Sequence, residues 1–543
     1  MRSIETTPGQ FTRRTAIKGA GALAAAAALG GAPHKVRAAD PNVIRFGLAV
    51  QHVASLDPAL NVQGEDQDVT RQVYDAFIDP PYGTFDLAPK DIVCEAAASW
   101  EMSADAKTYT LTLREGMLFH KGYGEVTSDD AKFTLDRLRD PATASPYRTY
   151  YAAIDDVKIV DKYRFQVVLK QPDPTFYASA LIARAALIVP RKAVEKLGAG
   201  FRRAPVGSGP FEFEAIDIDR GVILKPFEQY HRGKPQVDGV EFRYVPDSTS
   251  RTLGFIKGEL DIIEGVRLPG WVGETRGQAP HALFDFTRPG SQNTVSFNMT
   301  RKPFDDIRVR KAIRYAIDRN GFKEAYGELY GDVWGINPPE YPGGFTAADL
   351  PAELRYDHDP AKAKALLAEA GFPHGFTFDA IISARDDYQG IMLIMQEMLR
   401  QSGIELRLRT VDHTTYHTEC LHDACAFPMN SETNAPVGTL MLQSNYARDA
   451  VVSANGGGRL NYSHYGQVMP GIDDMLAKIM AEPDIDRRIA LTRDAELQIL
   501  RDMPAWNALS LHWVFARSPR LDLGFKIQAS YAYFTLGFAK FVA

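Results

Sequence analysis

Apolar and polar positions change their rhythm part-way along the chain. In the first three hundred residues short stretches alternate with period two. "TYTLTLREGMLFH" (108–120) reads as a strand that turns through "KGYG", and "KIVDKYRFQVVLK" (158–170) as a hairpin around Asp161 and Lys162. "GVILKPFEQY" and "VDGVEFRYVP" read as further strands. "TSDDAKFTLDRL" (127–138) breaks the alternation with a Thr or Ser cap, acids in its first turn and an apolar stripe of Ala131, Phe133, Leu135 and Leu138, so it is expected to be a helix.

Beyond residue 300 longer helical patterns alternate with short strands. In "PFDDIRVRKAIRYAID" (303–318), Asp305 and Asp306 stand where a cap would accept the orphan amide protons of a first turn. Val309, Ala312, Ile313, Ala316 and Ile317 then form one apolar stripe, and Arg308, Lys311 and Arg314 are expected on a solvated face. "DPAKAKALLAEAGF", "FTFDAIIS" and "YQGIMLIMQEMLRQSGIELRLRTVD" continue as helix, strand, and helix followed by strand. The chain is therefore expected to be α+β in its first part and α/β in its second. The closing "MPAWNALSLHWVFARS" is expected to supply strands that cross back to the first lobe.

The first forty residues differ in kind. "TRRTAIKG" (12–19) precedes the small-residue apolar run "AGALAAAAALGGA", which is too short for a permanent membrane span. Arg13 and Arg14 with Lys18 behind them resemble a twin-arginine export signal, with cleavage expected after Ala38. No later stretch offers 18 uninterrupted apolar residues and no Cys follows the signal to carry a lipid, so the mature protein is expected to be soluble and periplasmic.

Length and charge narrow the classes. At 543 residues the chain should divide into two to four domains or lobes. A 45% apolar and 24% charged composition is that of a globular protein, and a net charge of −6 argues against a nucleic-acid partner. Three cysteines follow the signal. In an oxidising compartment "CLHDAC" reads as a disulfide loop between Cys420 and Cys425, leaving Cys94 free. The same stretch, "HTTYHTECLHDAC", offers a competing metal constellation, because His413 and His417 lie four apart and share a helix face. The sequence contains no H-E-x-x-H, no G-x-S-x-G and no P-loop, and "PVGSGPF" reads as a turn, so no enzyme is expected.

Several phrases taken together resemble the family 5 solute-binding proteins of ABC importers, receptors for peptides, nickel and related solutes. They are "ASWEMSADAKTYTLTLREGMLFHKG" with "VTSDDAKFTLDRL", the long block from "PVGSGPFEFEAIDIDRG" to "TLGFIKGELDII", and "YDHDPAKAKALLAEAGF". The likeness runs in order through residues 43 to 520.

The resemblance implies an α/β, two-lobed fold of the periplasmic-binding-protein type II kind with an additional inserted subdomain. The expected division is a signal over 1–38 and a first lobe over 39–300 carrying the insertion at about 90–205. A second lobe over 301–505 and a return to the first lobe over 506–543 complete it. The resemblance implies a monomer without a cofactor that closes on a peptide-like or other small polar solute and passes it to permease subunits. Nickel and haem receptors in the family keep the metal alternative, and a periplasmic hydrolase or chaperone using the same cleft is the reading from another class. In dipeptide-type relatives an Arg after the strand following "AGF" holds the peptide carboxylate, and "IISARDDYQG" places Arg385 there. An Asp in a Trp-x-x-Asp-like loop receives the amine in those relatives. Here "CAFPMNSETNAPVG" has neither Trp nor Asp, and Glu432 is the nearest acid. His120 corresponds to the family's strand-turn histidine.

Overall fold

The computed structural model describes residues 42–543 apart from 62, 85–86, 183–184, 434–436, 456–457, 459 and 529–533. The export signal read at 1–38 lies outside the described residues.

A nine-stranded mixed sheet runs through the body. Its order is Met429–Glu432, Leu283–Ser296, Ala505–Arg517, Ile262–Glu264, Val43–Leu48, Gly239–Tyr244, Gly221–Pro226 and Phe211–Asp217, with Tyr330–Gly331 also pairing with Ala505–Arg517. Val43–Leu48 is parallel to both of its neighbours. The two long strands, Leu283–Ser296 and Ala505–Arg517, pair antiparallel from Leu283↔Arg517 to Ser296↔Ala505, with breaks in register between Thr287 and Ser291 and at Asn293–Thr294. The closing segment does return to the first half of the chain, through Arg517, Ala516 and Phe515 against Ile262–Glu264.

The buried apolar side chains explain the layout. One cluster gathers Ile44, Phe46, Val240, Phe242 and Phe515 around the first strands, and another gathers Val295, Phe297, Val309, Ile313, Ile391 and Leu509. A third lies between an antiparallel sheet and a helix. The sheet is Ala97–Met102, Thr108–Leu113, Arg164–Leu169 and Ile154–Ile159 in that spatial order, and helix Ser128–Arg139 supplies Ala131, Leu135 and Leu138 to the core. The capping box expected for that helix forms between Thr127 and Asp130. Ser128 and Thr134 are buried too, while Phe133 turns toward the first cluster, so the helix wedges between two cores.

In the second half Phe376–Ser383 and Ile404–Val411 are parallel neighbours joined by helix Asp386–Gln401, a β-α-β unit. Helix Ile307–Ala316 is capped by Asp306, which accepts from the Arg308 amide at 2.8 Å, and its apolar stripe is buried as expected. Its cationic face differs from the expectation. Arg308 is exposed, but Arg314 is 2% exposed and neither of its terminal nitrogens has a hydrogen-bond partner. Burial holds its guanidinium well below the usual range, with Arg319 adding repulsion. The groups that act on its charge, Arg319, Tyr330, Tyr356 and Asp357, come from other segments, which periodicity within a single helix does not reveal.

His120 and the "PVGSGPF" turn lock together. His120 is buried, its Nε2 lies 2.9 Å from the Gly209 carbonyl, and its Nδ1 accepts from the Gly207 amide at 3.3 Å. Burial pushes it down to about 4, so it is neutral at physiological pH. The glycines are required by close approach, since a Cβ on Gly207 would stand 2.1 Å from the Val73 carbonyl oxygen. Gly207→Ala is expected to destabilise the fold by about 1 to 3 kcal/mol through overpacking. Urea denaturation would read this as a lower midpoint at unchanged slope.

Candidate binding cleft

Parallel strands aim their carboxyl ends at one place. Val43–Leu48 runs into Ala49 and Val50, Ile262–Glu264 into Gly265–Leu268, and Phe376–Ser383 into Ala384–Asp387. These segments line a cleft of about 790 Å³, with Trp513 and Phe515 of the long return strand as its aromatic floor. Ligands of open α/β sheets gather at such strand ends, and the volume suits a small solute.

One ion-pair chain joins the two walls. Arg267 donates from Nη1 to Ser291 Oγ at 2.9 Å and from Nη2 to Asp387 Oδ2 at 3.0 Å, and its guanidinium stacks 3.9 Å from the Trp513 ring. Arg385 donates from Nε to Asp387 Oδ1 at 3.1 Å and from Nη2 to Oδ2 at 2.9 Å. Burial opposes ionisation of Asp387, but Arg267 and Arg385 outweigh it and hold the carboxyl below the usual range. Arg385 lines the cleft as the strand-end argument expects, with its side chain half-exposed. Its Nη1 edge has no bond to Asp387.

The other candidates are dispersed. Glu432 sits on the edge strand Met429–Glu432, opposite Gln292, accepts a hydrogen bond from Asn430 Nδ2, and is not among the lining residues of this cleft. His413 lines the cleft and its Nδ1 lies 2.9 Å from Ser383 Oγ, while its ring is 4.5 Å from that of His417. Burial, then Arg385 and His417, push His413 down to about 4, and burial and Arg385 lower His417 too. An arginine beside two imidazoles opposes a cation there. Among the described residues no group of three or more His, Cys, Asp or Glu side chains stands close enough to hold a metal.

Helix His413–Leu421 buries Tyr416 and Cys420 along the face that also carries the two histidines, with the Tyr416 ring 5.4 Å from that of His417. Cys420 and Cys425 are both buried and are free thiols in the structure, with Sγ atoms 2.6 Å apart. The two sulfurs of the disulfide expected from the sequence face each other there. Thiol titration of the denatured mature protein without reductant is expected to find one reactive cysteine, Cys94. Three would show that the pair stays reduced after export.

Sequence reading missed three acids. Glu65 and Asp68 come from the start of helix Gly64–Val73 and Glu264 from the end of its strand, and all three line the cleft. The available signal was the helix itself, "GEDQDVTRQV", whose only apolar side chains are Val69 and Val73 yet which is buried along most of its length.

This architecture, a mixed α/β body with a cleft beyond its strand ends, is that of periplasmic binding proteins. The chain belongs to the bacterial extracellular solute-binding proteins, family 5, whose middle region matches residues 91–447. It is 30% identical over 332 residues to the glutathione-binding protein GsiB of Salmonella typhimurium, an alignment covering 60% of this chain and 62% of that protein. It is 26% identical over 475 residues to the dipeptide-binding protein of Escherichia coli, covering 80% of this chain and 84% of that one. The solved structure of MoaA from A. tumefaciens R10, in complex with mannopinic acid, superposes with a TM-score of 0.79 at 28% identity, covering 92% of this chain and 100% of that one.

Proposed function

We propose that this protein is the extracytoplasmic receptor of an ABC importer, holding a peptide-like or other small polar solute in the cleft and delivering it to permease subunits. The observation that carries the reading is the cleft itself, with charged side chains on walls from both halves of the chain and an ion-pair chain crossing between them. Membership of family 5 and the relatives' glutathione, dipeptide and mannopinic acid ligands support it. Among the described residues no helix is long and apolar enough to cross a membrane. The protein works as a monomer in the periplasm, reached through its twin-arginine-like signal, and binds without turning its solute over. Closure of the walls is the state that the solute favours and that the permease recognises.

The test is mass spectrometry of whatever co-purifies with the mature protein, followed by thermal unfolding with that compound added. Binding to the native state alone is expected to stabilise by about 2.7 kcal/mol at a hundredfold excess over Kd. Steady release of a reaction product overturns the receptor in favour of a hydrolase.

A further inference from the structure

Resting on the receptor reading, we propose that Glu65, Asp68 and Glu264 form a subsite for a cationic group of the solute, an ammonium or a guanidinium. None of these carboxylates has a hydrogen bond or ion pair among the described residues, although all three line the cleft. Asp68 is only 6% exposed. A buried carboxylate without a partner is costly, and three together repel one another.

A contrast within the same helix shows that the arrangement is not a general property of its acids. Asp66, two residues before Asp68, is also buried, and its carboxylate accepts from the Ala54 amide at 2.8 Å and the Ser55 amide at 3.0 Å. That acid ties a loop to the helix. Asp68 ties nothing and faces the cleft.

The nearby arginines make no hydrogen bond to these carboxylates among the described residues. Arg251 donates from Nε to the Glu264 carbonyl at 3.0 Å and from Nη1 to the Val245 carbonyl at 2.7 Å, both backbone acceptors. Arg267 and Arg385 are both committed to Asp387. One wall therefore carries three carboxyl groups with no hydrogen-bonded partner among the described residues, and the other presents the outer edge of Arg385. Burial, then repulsion from Glu65, pushes Glu264 up to about 7 against the opposing pull of Arg267, Arg251 and Arg385, and burial with repulsion from Glu264 and Glu65 holds Asp68 well above the usual range. An arriving cation relieves that repulsion and gives the solute a differential affinity for the closed arrangement.

Two matched pairs of probes test the subsite: lysyl-alanine against its Nα,Nε-diacetyl form, and alanyl-alanine against its N-acetyl form. Each is added at about 10 mM and read by thermal unfolding. At least one cationic member is expected to raise Tm while its acetylated partner does not. Asp68→Asn and Glu264→Gln are each expected to weaken that binding about 30-fold. Both variants should unfold at the same temperature as the parent or higher, a result that simple damage to the fold would not produce.

The proposal is overturned if no cationic probe raises Tm, if an acetylated form binds as well as its parent, or if the variants bind unchanged. A co-purified solute with no cationic group also overturns it while leaving the receptor reading intact. Product release removes the receptor reading instead.

Discussion

Asp387→Ala is expected to lower the unfolding free energy by about 3 to 5 kcal/mol, because it strands a buried cation. Arg267 is buried and, among the described residues, hydrogen-bonds with its guanidinium to Ser291 and Asp387, so without the carboxylate it keeps one neutral hydrogen bond and the Trp513 face. The pairing with half-exposed Arg385 adds less, since solvent screens it. The pH dependence has a definite sign. The folded carboxyl lies below its unfolded value of about 3.9, so the contribution is complete above that pH and disappears as pH falls through the folded value. Urea unfolding at pH 7 should separate parent and variant widely, and at about pH 2 to 3 the gap should narrow. Equal midpoints at pH 7 would mean that Arg267 finds another partner, and that the two walls are not held by this pair.

Arg385→Lys is expected to weaken binding of the co-purified solute about 30-fold or more, with little change in stability. Asp387 grips one edge of the guanidinium through Nε and Nη2 and leaves Nη1 directed elsewhere. Arginine can thus be held by the protein and still present donors to a solute carboxylate. A lysine ammonium offers no such second edge, and beside Asp387 it would be drawn into that pair. Calorimetric titration reads the loss directly, and an unchanged Kd removes Arg385 from the site. Glu432→Gln should leave affinity unaltered, since Glu432 stands on the edge strand beside Asn430 and not on this cleft. A silent Glu432 does not exclude an amine on the solute, because the acids that would receive one lie on the opposite wall.

What the sequence by itself determined was local. Caps, strand alternation and apolar stripes placed helix Ser128–Arg139, helix Ile307–Ala316 and the strands flanking Asp386–Gln401, because hydrogen bonds and side-chain faces within an element depend on residues a few positions apart. Arg385 was reachable for the same reason, as the residue just past a strand whose partner is parallel. The tertiary structure decided whatever depended on distant segments. It buried Arg314 near Arg319, Tyr330 and Tyr356, turned Phe133 into a second core, and joined Leu283–Ser296 to Ala505–Arg517 across more than two hundred residues of chain. It separated Glu432 from the cleft and brought Glu264 to the acids of Gly64–Val73, nearly two hundred residues earlier. Periodicity states which face of an element avoids water; only packing states what that face meets, and the charge balance of a cleft is set by what meets there.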